Sequence, residues 1–141
     1  IRGTQTNDSA AAGYVGEDIS STGSGAFPTS STFGDCTSIS LTAGDWDVSA
    51  VLDAEATAGS TVPRIQFGIG TASGTATTGL VYGDTRIESV GPVTTVNDQG
   101  LSIPAARKSI SGTTTYYAKI FATWTVSAPN YTCRLSARRM R

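Results

Sequence analysis

The feature that most limits what this chain can become is alternation of side-chain character at period two. From Tyr116 to Val126, Tyr116, Ala118, Ile120, Ala122, Trp124 and Val126 fall on one side, and Tyr117, Lys119, Phe121, Thr123 and Thr125 on the other. Trp46, Val48, Ala50 and Leu52 alternate in the same way with Asp47, Ser49 and Asp53. So do Thr37, Ile39 and Leu41 with Ser38 and Ser40, and Ile65, Phe67 and Ile69 share one face of Arg64–Ile69. The closing segment sets Tyr131, Cys133, Leu135 and Ala137 opposite Thr132, Arg134, Ser136 and Arg138. Only an extended strand sends successive side chains to opposite faces. Further short strands are predicted at Leu80–Tyr82, Arg86–Val90, Val93–Val96, Leu101–Ile103 and Lys108–Ile110, with no amphipathic helical pattern of ten or more residues among them. Short strands separated by Gly- and Pro-bearing turns predict an all-β chain, a jelly-roll-like β-sandwich of about eight strands.

Composition agrees with that reading. The chain has 22 Thr and 17 Ser among 141 residues. A share that large suggests disorder in isolation, but the threonines lie within the alternating runs, where a β-branched polar side chain suits the solvent face of a strand. Residues 1–34 read as an extended N-terminal lead-in, with room for one short strand, anchored by Tyr14, Val15, Phe27 and Phe33. Residues 35–141 read as the sandwich domain. The Ser/Thr/Gly segment at 70–79 suits a surface loop. With the loop at 91–100 it makes a candidate binding tip.

Charge is unevenly spread although the net value is −1. Residues 1–55 hold eight acids (Asp8, Glu17, Asp18, Asp35, Asp45, Asp47, Asp53, Glu55) and one base, Arg2. Residues 100–141 hold seven bases (Arg107, Lys108, Lys119, Arg134, Arg138, Arg139, Arg141) and no acid. Such asymmetry is expected where the two parts neutralise one another, within a subunit or across an interface. The basic stretch is short and has no aromatic platform, which argues against nucleic acid. No stretch approaches the roughly 20 apolar residues of a membrane span.

The chemistry-bearing residues are few. With no His, a Ser-His-Asp triad and most zinc sites are excluded. Carboxylate pairs for glycoside cleavage would have to come from Asp45, Asp47, Asp53, Glu55, Asp84, Glu88 and Asp98, which read as solvated acids. Asp45-x-Asp47 and Asp53-x-Glu55 offer oxygen ligands to a hard cation only by spacing, and no cofactor or metal is expected. Gly68-x-Gly70-x-x-x-Gly74 departs from the dinucleotide fingerprint. Cys36 and Cys133 fit no metal spacing. They form a disulfide if their strands are adjacent, or are otherwise two small buried apolar side chains. Among the aromatic residues, Tyr82 and Tyr117 are the candidates for exposed, sugar-stacking positions.

Two sets of residues resemble known domains. The opening Asn7-Asp8-Ser9-Ala10-Ala11-Ala12-Gly13-Tyr14-Val15-Gly16-Glu17 and the closing Ala137-Arg138-Arg139-Met140-Arg141 together resemble a small domain of tailed-phage and prophage virion proteins, and Arg107–Tyr117 resembles that domain's penultimate-strand region. That domain often lies at the C-terminus of tail-fibre-like chains. More distantly, Ser38–Ala50 resembles the strand–turn–strand of C1q/TNF-like jelly rolls. The resemblance implies a jelly-roll-like sandwich, a homotrimer, and display on a virion beside other virion proteins. The expected function is that of a non-enzymatic tail-fibre or spike domain that binds a host-surface glycan, with Tyr82 and Tyr117 at the receptor. The trimer interface is expected to bury the second apolar face of Tyr116–Val126 and to pair the acidic N-terminal half with the basic last strand, through Tyr117, Phe121, Arg134 and Arg138. A capsid decoration protein is the alternative, and a polysaccharide depolymerase the third reading.

Overall fold

The computed structural model describes residues 10–94 and 98–141. Arg2, Asn7–Ser9 of the opening segment with Asp8, and the 95–96 part of the strand predicted at Val93–Val96 lie outside them. Among the described residues eight strands form: β1 (Asp18–Ala26), β2 (Gly34–Leu41), β3 (Gly44–Glu55), β4 (Val62–Gly70), β5 (Arg86–Val93), β6 (Gln99–Ile110), β7 (Thr114–Thr123) and β8 (Asn130–Arg139). They make two four-stranded antiparallel sheets packed as a sandwich, ordered β1-β8-β3-β6 and β2-β7-β4-β5. Only the β4–β5 connection stays within one sheet. The chain therefore winds back and forth across the core in the jelly-roll manner.

The alternation read from the sequence fills the space between the sheets. Trp46, Val48, Ala50 and Leu52 of β3 meet Ile65, Phe67 and Ile69 of β4, Ala118 and Ile120 of β7, and Leu135 of β8 in one buried cluster. Each fully buried Leu, Ile or Phe in such a layer contributes about 1.5–3 kcal/mol through loss of water contact. Cys36 of β2 and Cys133 of β8 form a disulfide between the sheets, with Cα atoms 6.4 Å apart. β1 lies so close to β2 here that a Cβ on Gly23 would stand 2.2 Å from the Cys36 carbonyl oxygen.

Several elements differ from the sequence reading. The sandwich takes an edge strand from the segment read as a lead-in, because β1 pairs with β8 from Asp18↔Arg138 to Ala26↔Asn130. Of the expected anchors there, Phe27 is in the core, whereas Tyr14 and Val15 are 68% and 54% exposed. The segment predicted as a strand at Leu80–Tyr82 is a turn. Gly79 and Gly83 on either side take left-handed φ angles of 86° and 78°, and Thr85 Oγ1 donates to the Gly79 carbonyl and accepts the Val81 N–H. The two short strands predicted at 101–103 and 108–110 are one strand, β6. It passes through a bulge opposite Val48 and Ala50, and Pro104, which has no N–H to offer, is tolerated because β6 is an edge strand. β7 stops at Thr123, and Val126, expected on its core side, is 72% exposed.

Candidate functional site

The end of the sandwich where residues 10–17 enter is closed by one buried guanidinium. Arg139 Nε donates to Glu17 Oε2 at 2.9 Å, Nη1 to the Ala43 carbonyl at 2.9 Å, and Nη2 to Thr42 Oγ1 at 2.5 Å. The guanidinium carbon lies 4.2 Å from the centre of the Trp46 ring, so one apolar face is covered while its edges are hydrogen-bonded. Gly13 N–H donates to the same Glu17 oxygen at 2.7 Å. That bond, with Arg139 beside it, holds the Glu17 carboxyl below the usual glutamate range against the opposing effect of burial. Backbone bonds from Gly16 N to Arg139 O and from Arg139 N to Glu17 O complete the join. Gly44 is required here: its φ is 142°, and a Cβ would fall 2.3 Å from Arg139 Nη1. The described part of the opening segment and the closing segment quoted above are therefore one structural unit.

Ion pairs within the chain meet part of the charge asymmetry, most of them at this end. Arg139–Glu17, Arg107–Asp45, Arg141–Asp45 and Lys119–Asp35 each join a base from 100–141 to an acid from 1–55 inside one subunit. The Asp45 carboxyl is held low, first by a Ser109 hydrogen bond and then by Arg107.

A second polar cluster lies on the outer face of the sheet β2-β7-β4-β5. The register sets Gln66 beside Phe121 and Glu88, and the β4–β5 connection brings Tyr82 over them. Tyr82 Oη donates to Glu88 Oε2 at 3.0 Å and accepts from Gln66 Nε2 at 3.4 Å. Arg64 pairs with Glu88 through Nε and, at 3.2 Å, through Nη2. This Arg64 contact, then the Tyr82 hydroxyl, pulls the Glu88 carboxyl below the usual range. Arg86 donates to Gln66 Oε1. Its guanidinium stacks 4.1 Å from the Tyr82 ring and 5.1 Å from the Phe33 ring. Arg86 Nε is buried with no partner among the described residues. Tyr82 itself is 55% exposed.

The residues expected at a trimer interface separate. Phe121 is buried by its own chain, against Phe33 at 5.0 Å between ring centroids and beneath Arg64. Lys119, its neighbour on the same face, is fully buried, bonded to Asp35 and to the Ala72 and Gly74 carbonyls. The second apolar face of β7 is thus covered by the β1–β2 and β4–β5 connections rather than left for a neighbour. Tyr117 is half-buried on that face, with Lys119 Nζ 6.0 Å from its ring centre. Arg134 and Arg138 are exposed on the outer face of the other sheet, across the sandwich from Phe121. The four residues form no single patch.

Beside Arg138 are two shallow depressions. One, of about 200 Å³, is lined by Asp47, Ser49, Ser136 and Arg138 among others, and the other, of about 380 Å³, by Val15, Gly16, Asp47, Arg138, Arg139 and Met140. No cluster of three or more candidate metal ligands occurs among the described residues. Of the acids considered for hydrolysis, Asp45 and Glu88 are tied to arginines. That is the opposite of the raised pKa a general acid needs.

Topology and core define the chain as a jelly-roll β-sandwich. No family model, no curated protein and no solved structure matches it.

Proposed function

We propose that the chain is a non-enzymatic module of a phage virion: the C-terminal domain of a tail fibre or spike, which trimerises and binds a host-surface glycan. One observation carries the reading. Residues 13–17 and the last residues of the described domain are clasped together by Arg139 at one end of the sandwich. The described chain therefore enters and finishes at the same end of the sandwich.

At the opposite end, hydrogen bonds join two of the loops. Thr57 Oγ1 donates to Ala128 O at 2.6 Å, Ser60 Oγ to Ser127 O at 2.9 Å, and Thr125 N to Thr61 O at 3.2 Å, tying the β3–β4 and β7–β8 loops together. On the flank, Tyr82 offers a ring backed by Arg86 and a hydroxyl fixed by Glu88 and Gln66. An aromatic plane beside preset polar groups suits a sugar, whose C–H face stacks while its hydroxyls hydrogen-bond, and preset groups lose little freedom on binding.

The test is a glycan array of bacterial surface polysaccharides, probed with the labelled chain. Tyr82→Ala is expected to weaken binding by roughly tenfold with the melting temperature unchanged. Binding indifferent to Tyr82 would remove that residue from the receptor site, and cleavage of a bound glycan would revive the depolymerase. Recovery of its peptides from purified particles tests the virion placement.

A further inference from the structure

We infer that the depression between Val15 and Met140 is the docking site for a second copy of this chain. The inference rests on the trimeric reading above and gives it a location. Three apolar side chains, Tyr14, Val15 and Met140, are 68%, 54% and 46% exposed at the end where residues 10–17 enter. Val15 and Met140 line the depression of about 380 Å³ together with Asp47 and Arg138. Exposed apolar groups gathered around a concavity mark a contact surface more than the same groups scattered singly.

Charge selects the occupant. The other bases at this end are paired: Arg139 with Glu17, and Arg107 and Arg141 with Asp45. Arg138 lies between two cross-strand acids, Asp18 of β1 and Asp47 of β3, and neither Asp47 nor Arg138 makes an ion pair within 4.0 Å among the described residues. A patch that carries both signs side by side within an apolar rim offers each charge an opposite partner on a second copy. Rotating a second copy about a symmetry axis brings the Arg138 of one over the Asp47 of the next, while Val15 and Met140 leave water. The position fits as well, because in a fibre the chains entering at residues 10–17 run together, and these ends are the parts that must meet.

The experiment is light scattering coupled to size exclusion on the full chain and on Val15→Asp and Met140→Asp, with melting curves for each. Both positions are exposed, so the variants are expected to fold with little change in melting temperature. The parent is expected near three times 14.5 kDa, and each variant is expected to weaken assembly by roughly tenfold or more, shifting toward the monomer on dilution. An assembled parent whose variants stay equally assembled overturns this surface and leaves the trimeric reading standing. A parent that is dimeric, with monomeric variants, supports the surface and overturns the threefold count. A parent monomeric at every concentration overturns the surface and the trimer together, and leaves the Tyr82 binding test independent. Variants that destabilise a monomeric parent would show that the chain covers the patch itself, and so overturn the inference.

Discussion

At the scale of single residues, the fold depends on close approaches that admit one side chain only. Gly23 has no positive φ to explain it; its Cβ position is taken by the backbone of Cys36. Gly23→Ala is expected to cost about 1–3 kcal/mol through overpacking, read from the denaturation midpoint. Arg139 is the opposite case, a large cation held at 5% exposure. Arg139→Met keeps the contact with Trp46 but leaves Glu17 without its cation. The expected loss is about 3 kcal/mol, with Glu17→Gln/Arg139→Met less damaged than Arg139→Met alone. If the double variant were no better than the single one, the guanidinium would be acting by packing rather than by charge.

At the scale of elements, the disulfide and the β4–β5 connection do separate work. Cys36–Cys133 spans 97 residues and ties β2 to β8 across the sandwich, so it restricts the unfolded chain strongly. Replacing both cysteines with Ser is expected to cost about 2–5 kcal/mol without changing the strand order, measured by chemical denaturation. The β4–β5 connection folds back over its own sheet. Thr78 O and Lys119 Cγ lie 3.0 and 3.1 Å from where a Gly70 Cβ would be, and Leu80 Cδ2 lies 2.6 Å from that of Gly68. Lys119 holds it there through the Ala72 and Gly74 carbonyls. Lys119→Ala is expected to release the segment 71–79, seen as faster limited proteolysis at those residues. Unchanged cleavage would mean that the glycine contacts hold the segment alone.

At the scale of the whole molecule, opposite charge brings the two halves of the chain together. Glu17, Asp45 and Glu88 all have carboxyls held below their usual range by hydrogen bonds and arginines. Such groups bind fewer protons folded than unfolded, so stability rises with pH through the window between the lowered and the ordinary values. Their contribution is complete above the ordinary carboxylate range and is lost as the pH falls through the lowered values. The unfolding free energy is expected to be flat near neutrality and to drop on acidification, with a shallower drop in Glu17→Gln. An equal slope in the variant would exclude Glu17 from the effect. These internal pairs also move the question of assembly away from the β7 face and toward the end where Arg138 and Asp47 make no ion pair among the described residues.

The sequence by itself determined the central strands β3, β4, β7 and β8 and the alternation of their faces, because period-two alternation is a local property of extended backbone. Trp46, Val48, Ala50, Leu52 and Leu135 point inward as their spacing requires. It also offered one test for the charges, the crossed signs of the two ends. Tertiary structure decided everything that depends on which strands become neighbours. Nothing near Cys36 in the chain announces Cys133. Phe121 and Lys119 have a strand pattern that suits a free face, and only the return of the β4–β5 and β1–β2 connections buries them. Tyr82 gained Glu88, Gln66 and Arg86 as partners from a turn that reads locally as a strand. Partners brought together by chain return leave no periodic trace, because the contact is set by loop path and sheet order rather than by neighbouring residues.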